Sequence, residues 1–251
     1  MLPDLKDMRV FITGAGRGLG RSVAVHLAKC GAVLGVIDVD GSAAQETADE
    51  ISKAGGTAYA YSGDVSDKSV MEMAAAEFAD QAGRIDTVIN NAMLLRYEPI
   101  ENVEDDTLDK MLGVGIKGPI WGAQALLKHM DPERGGHIIN MASPVAYRGF
   151  PGTAVYSLVK GATVTLTKTL AAELGPRNIR VNAVAPGSVP TPGAIGLNTK
   201  EEYERRSRTI PLRRLGHEQD NANAIAFLLS PEADFINGDI LNVDGGIAAS
   251  V

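Results

Sequence analysis

Apolar residues fall along this chain in two rhythms. Short, nearly continuous apolar runs alternate with longer stretches whose apolar positions recur every three or four residues. The first rhythm predicts strands buried on both faces, the second amphipathic helices. Strands are expected at Arg9–Thr13, Ala32–Asp38, Thr57–Tyr61, Asp86–Ile89, Gly136–Met141, Ile179–Ala185 and Ile240–Val243. Helices are expected at Gly18–Lys29, Ser42–Ala54, Ser66–Ala82, Gly152–Leu174 and His217–Leu229, with one long helix over Val103 to His129 that Gly113, Gly115 and Gly118 weaken. Gly31, Gly55-Gly56, Gly83 and Gly175-Pro176 stand where such helices stop.

Strands and helices in alternation imply right-handed crossovers and a parallel sheet covered on both faces. The predicted fold is therefore α/β, a doubly wound Rossmann-type domain with a seven-stranded parallel sheet spanning residues 1–251. Folds of this kind bind ligands beyond the carboxyl ends of the strands. The loosest stretch is 187–214, with Pro190, Pro192, Gly193, Gly196 and Pro211, and its length marks it as a substrate loop.

Composition narrows the function. Hydrophobic residues make up 45% and charged residues 22% of 251, enough apolar content for a sizeable core. A net charge of −7 repels phosphate backbones, so nucleic acid is not an expected partner. Cys30 is the sole cysteine, which rules out an intramolecular disulfide and fits a reducing compartment. Met1 to Arg9 holds no apolar run of the signal-peptide kind, and no apolar stretch reaches membrane-spanning length, so a cytoplasmic protein is expected. His26, His129, His137 and His217 lack ligand-like spacing, and no metal site is expected.

The first strand runs into Thr13-Gly14-Ala15-Gly16-Arg17-Gly18-Leu19-Gly20. Glycines there let backbone approach a pyrophosphate, and the following helix points free N–H groups and its positive end at the phosphates. The second strand ends in Asp38, whose carboxylate can accept hydrogen bonds from a free ribose 2′-hydroxyl and would repel a 2′-phosphate. Val39 follows where a phosphate-reading site wants a cation, so NAD is the expected cofactor, with Arg17 the one group nearby that could reach a 2′-phosphate.

The Thr-Gly-x-x-x-Gly-x-Gly pattern at Thr13–Gly20 resembles that of the short-chain dehydrogenase/reductase family, and the resemblance continues in order along nearly the whole chain. Asp64-Val65 resembles the family's adenine-side pair, and Asn90-Asn91-Ala92 its Asn-Asn-Ala-Gly motif. Ser143 precedes Tyr156 by the family's usual interval, and Tyr156-x-x-x-Lys160 resembles its active-site motif. Pro186-Gly187, with Val189 and Thr191 beyond, resembles the segment that holds the nicotinamide carboxamide, and Gly238–Gly246 resembles the C-terminal strand. The resemblance implies a cofactor cradle of Gly14, Arg17, Gly18, Leu19, Asp38, Asp64, Val65, Asn90, Ala92, Tyr156, Lys160, Pro186, Gly187, Val189 and Thr191. It also implies a catalytic set of Ser143, Tyr156 and Lys160, and a homotetramer.

Tyr156 and Lys160 are four apart on a predicted helix and so share a face. A free tyrosine is a poor base at neutral pH; a neighbouring ammonium favours the phenolate and is expected to lower its pKa. Tyr156 would then exchange a proton with a substrate oxygen that Ser143 holds, while the cofactor carries the hydride. The resemblance implies that Lys160 also hydrogen-bonds the nicotinamide ribose.

Two positions depart from the family. Its usual asparagine in the long helix is Gly115, and the glycine after Asn-Asn-Ala is Met93, which would either narrow the pocket or join the core. The resemblance implies that this asparagine keeps a water that feeds protons to the lysine, and in its absence a backbone carbonyl is expected to hold that water. The remaining pocket candidates, Leu94, Leu95, Pro144, Tyr147 and Phe150, are apolar and suit a secondary alcohol or ketone on a hydrocarbon frame. Lys200, Arg205, Arg206 and Arg208 could attract an acidic substrate; pairing of Glu201 with Arg205, Glu202 with Arg206 and Glu204 with Arg208 along an exposed helix is the plainer expectation. The alternatives are an NADP-dependent carbonyl reductase, a non-catalytic dinucleotide-binding sensor or scaffold, and, more remotely, a methyltransferase.

Overall fold

A computed structural model describes residues 2–191 and 199–250. Seven strands form one sheet: β1 (Arg9–Thr13), β2 (Val33–Asp38), β3 (Thr57–Ser62), β4 (Thr87–Asn90), β5 (Gly136–Met141), β6 (Ile179–Pro186) and β7 (Ile240–Val243). Their order is β3-β2-β1-β4-β5-β6-β7, every pair parallel. Chain order reverses between β1 and β4, which opens a crevice at their carboxyl ends. This is the doubly wound α/β sheet that the alternating rhythms predict.

The helices are α1 (Gly18–Lys29), α2 (Gly41–Lys53), α3 (Lys68–Ala82), α4 (Asp105–Leu112), α5 (Gly118–His129), α6 (Ala154–Leu174), α7 (Lys200–Thr209) and α8 (Glu218–Leu229). One face of the sheet meets Val23, Ala24 and Leu27 of α1, Ile51 of α2, and Ile225 and Leu229 of α8. The other meets Met71 and Phe78 of α3, Leu126 of α5 and Leu174 of α6. Phe11 of β1 stacks on Phe78 at 5.8 Å between ring centres, with Tyr61 of β3 at 6.1 Å, so the centre of this layer is aromatic. Among the described residues, no helix is long and apolar enough to cross a membrane.

Helix starts explain most of the boundary shifts. Asp40 caps α2 through the Ala43 amide at 3.2 Å, and Asp67 accepts from the Ser69 amide at 2.8 Å, so α3 begins after Asp67 and not at Ser66. The Asp220 carboxylate reaches back to the His217 amide at 2.8 Å and sets the start of α8. By contrast, α1 begins at Arg17 with no side-chain cap and no acidic residue in its first turn, leaving its first N–H groups facing the crevice end of β1.

Two expectations are corrected. The stretch from Val103 to His129 is not one helix: α4 and α5 are joined by a π-turn over Gly113–Lys117, where the Gly118 amide donates to the Gly113 carbonyl five residues back. Within the 187–214 segment lies α7, on which Glu202 pairs with Arg206 at 3.0 Å as expected but also takes Arg205 at 2.7 Å, the residue expected on Glu201. Thr199 caps the Glu202 amide at 3.2 Å and holds that carboxylate within reach of both. Pro192, Gly193 and Gly196 lie outside the described residues.

The sheet stores an acid-sensitive group. His137 of β5 faces Arg180 of β6, has a buried Nδ1 without a hydrogen-bond partner, and is held down to about 4 by burial and then by the Arg180 charge. Its folded pKa lies below its unfolded value near 6.5, so its stabilising contribution is complete above about pH 6.5 and is lost as pH falls towards 4. Melting temperature against pH is expected to fall more steeply through that window for the wild type than for His137→Gln; parallel curves would show that His137 is not the group responsible.

Candidate active site

Four strand ends build the site. β1 delivers Thr13 and Gly14, β4 Asn90, β5 Met141 and then Ser143, and β6 Pro186. Thr13 stitches the first two together: its Oγ1 donates to the Ile89 carbonyl at 3.4 Å and accepts from the Asn91 and Ala92 amides, each at 3.1 Å. The Asn91 Nδ2 donates to the carbonyls of Thr13 at 3.0 Å and Gly14 at 2.8 Å. Gly14 has φ +64°, and a Cβ there would come within 2.6 Å of the Ala92 Cα. The turn is thus clamped with its backbone exposed to the uncapped start of α1.

The two adjacent asparagines have opposite duties, which the sequence does not separate. Asn91 holds the glycine loop. Asn90, 6% exposed, turns into the sheet and donates to the Asn140 Oδ1 at 2.8 Å; Asn140 in turn donates to the Thr167 hydroxyl of α6 at 2.9 Å. Asn91, Asn140 and Thr167 are organisers that sequence reading leaves out of the site. Alternation along β4 and β5 was the available signal, since it turns neighbouring side chains to opposite faces.

Asp38, 7% exposed, ends β2 beside the glycine loop. Its Oδ2 accepts from the Gly16 amide at 2.9 Å and its Oδ1 from the Asp40 amide at 3.1 Å, which joins β2 to the glycine loop. Arg17 is exposed, as is Val39 at 70%. The Asp40 carboxyl is held low by hydrogen bonds from Ser42 and the Ala43 amide, with the Arg17 charge adding to the effect. Asp64 is exposed after β3 and accepts from the Ser66 amide at 2.9 Å, while Val65 is buried. Beyond β6 the Gly187 amide donates to Val243 at 3.0 Å, Val189 is buried, and the Thr191 amide donates to Val189 at 2.9 Å.

Ser143, Tyr156 and Lys160 come together where β5 ends against α6. Ser143 and Lys160 are buried, at 7% and 6%, and the Ser143 hydroxyl lies close enough to the Tyr156 phenol to act on its pKa. The Lys160 Nζ lies 5.6 Å from the centre of the Tyr156 ring and donates to the Met141 carbonyl at 2.6 Å. Its pKa is pulled to about 8 by burial. Burial pushes the Tyr156 phenol up, Tyr97 adds to the rise, and the Ser143 hydroxyl opposes it. The expected lowering of Tyr156 by Lys160 is therefore corrected for this state: desolvation outweighs the ammonium, which is committed to Met141. The resting phenol is a proton donor.

Tyr147 and Phe150, on the stretch of chain between Ser143 and Tyr156, are 46% and 41% exposed. Between them Arg148 donates to the carbonyls of Ile247 and Ser250 and fastens the C-terminal turn to the loop that carries Ser143. A cleft of about 630 Å³ lies between Gly187-Ser188, Pro211–Gly216 and Asp244–Gly246; it includes none of Ser143, Tyr156 or Lys160.

The sequence matches the family described as enoyl-(acyl carrier protein) reductase over residues 14–248. It is 35% identical over 253 aligned positions to a sorbitol dehydrogenase of Cereibacter sphaeroides, covering 96% of this chain and 98% of that protein. The fold superposes on a short-chain dehydrogenase/reductase from Serratia marcescens with a TM-score of 0.91 at 32% identity, covering 98% of this chain and 99% of the other. It superposes on a 3-ketoacyl-(acyl-carrier-protein) reductase from Brucella melitensis, complexed with NADH, with a TM-score of 0.90 at 35% identity, covering 97% and 99%.

The two departures at positions 93 and 115 meet in space. A Cβ on Gly115 would lie 2.4 Å from the Val159 Cγ1 and 3.0 Å from the Met93 Sδ. Met93 therefore packs towards the π-turn, and the turn presses on α6 one residue from Lys160. Gly115→Asn is expected to lose about 1–3 kcal/mol in urea unfolding from overpacking, with no gain in activity. Combining it with Val159→Ala is expected to restore part of the loss, and an unchanged midpoint for the single variant would show that the turn yields freely.

Proposed function

Because the chain belongs to the short-chain dehydrogenase/reductase family, we propose that it is an NAD-dependent oxidoreductase interconverting a secondary alcohol and a ketone. The observation that carries this reading is the gathering of Ser143, Tyr156 and Lys160 where β5 ends against α6, with the Lys160 Nζ over the Tyr156 ring.

The residues fit a nicotinamide dinucleotide. Gly14 presents backbone where a Cβ would collide, and α1 leaves its first N–H groups uncapped, which is what a pyrophosphate needs. Gly14, Arg17, Gly18 and Leu19 would hold the phosphates and Asp38 the adenosine ribose. Asp64 and Val65 would meet the adenine, and Asn90 and Ala92 the middle of the cofactor. Pro186, Gly187, Val189 and Thr191 would hold the carboxamide. When bound, the nicotinamide supplies hydride transfer to or from the substrate carbon. Ser143 would position the substrate oxygen, and Tyr156 would donate its proton there in reduction and accept one in oxidation. Lys160, already desolvated, would hold charge beside that phenol.

Preference for NAD rests on charge. A 2′-phosphate would face the carboxylates of Asp38 and Asp40, with Arg17 the cation at hand. Val39 adds none. In titrations NADH is expected to bind at least tenfold more tightly than NADPH, and Asp38→Asn to narrow that ratio; a preference for NADPH would overturn the assignment. The expected homotetramer belongs to the same proposal and is read by sedimentation.

Tyr156→Phe is expected to cost about 10²–10⁴ in turnover with cofactor affinity retained. Because the resting phenol is protonated and its pKa is pushed up, kcat/KM for alcohol oxidation is expected to rise with pH above neutrality, while that for ketone reduction stays level over the same range. Identical profiles in both directions would remove Tyr156 from the proton step.

A further inference from the structure

A second phenol stands beside Tyr156. Tyr97 lies in the segment that leaves β4 for the site, and the next residue fixes it: the Glu98 amide donates to the Gly152 carbonyl at 2.8 Å, just before α6 begins. The Tyr97 and Tyr156 rings meet edge to face with centres 5.7 Å apart and planes at 66°. Burial pushes the Tyr97 phenol up against the pull of the Arg206 charge, with Tyr203 adding to the rise. It is thus a neutral donor and acceptor throughout the working range. Tyr203 and Arg206 both belong to α7, so polar side chains act on this phenol in addition to the hydrocarbon that Leu94, Leu95, Pro144 and Phe150 offer.

Edge-to-face packing alone would be served by phenylalanine. A hydroxyl placed half-buried beside the proposed proton donor must find a partner when substrate excludes water, or leave a polar group unsatisfied. We propose that Tyr97 is a specificity-determining residue that hydrogen-bonds a second substrate oxygen, carried on the carbon next to the reacting one, so that the preferred substrates are vicinal diols and the matching hydroxyketones. Touching rings favour neighbouring carbons: an oxygen held by Ser143 and Tyr156 leaves its vicinal partner turned towards Tyr97, whereas a more remote oxygen would overshoot it. This inference rests on the alcohol dehydrogenase reading and adds the substrate class to it.

The test compares matched pairs with NAD as oxidant: isopropanol against propylene glycol, and cyclopentanol against its cis vicinal diol. The wild type is expected to favour the diol of each pair in kcat/KM. Tyr97→Phe keeps the ring and removes the hydroxyl, and is expected to shrink the diol-to-alcohol ratio about tenfold, mainly through the KM of the diol. Melting temperature checks that the ring contact still supports the fold. A merely structural Tyr97 would lower both members of a pair alike; an unchanged ratio in the variant, or no diol preference in the wild type, would overturn the inference and leave the dehydrogenase reading standing. Turnover of neither member of either pair would overturn both.

Discussion

A buried ammonium must find an acceptor, and in this protein that need binds the long helix to the sheet. Lys160 enters the interior from α6 and donates to the carbonyl of Met141, the last residue of β5. One residue earlier on β5, Asn140 links Asn90 of β4 to Thr167 of α6. These bonds fix α6 along its axis and about it, because apolar packing by itself would let a helix rotate or slide by small amounts at little cost. Tyr156 rides on that helix and Ser143 on the loop β5 feeds, so their meeting follows from where Lys160 and Thr167 are held.

The same economy governs the other half of the crevice. Asp38 is a carboxylate at the end of a buried strand, and its oxygens are satisfied by the amides of Gly16 and Asp40. It therefore shapes the glycine loop as well as placing negative charge beside it. A protein with a net charge of −7 can still offer a dinucleotide a favourable berth, because the local N–H groups of α1 act over a few ångströms while the distant carboxylates are screened by salt.

Much of this was legible in the sequence. Strands buried on both faces leave unbroken apolar runs, glycines mark most helix ends, and the site residues sit at those ends. What escaped has a common physical cause: it depends on direction and not on residue type. Asn90 and Asn91 are the same residue with opposite orientations. Gly113, Gly115 and Gly118 weaken a helical pattern, but nothing in the spacing distinguishes a weak α-helix from a π-turn pressed into its neighbour. Tyr97 lies in a segment with no periodicity, so only the return of the chain to Gly152 reveals that it faces Tyr156. The pKa of Tyr156 needs the balance of desolvation against a charge already spent elsewhere.

The seat of the π-turn has a consequence for how such a sequence can change. Gly115, Met93 and Val159 share one small volume, contributed by the middle of a helical junction, the exit of β4 and α6. An asparagine at position 115 would crowd Val159, and trimming Val159 first opens a void beside Lys160. Each single step runs through a strained or hollow intermediate. The three positions are therefore coupled through packing, and the cost of changing any one of them is set by what stands at the other two.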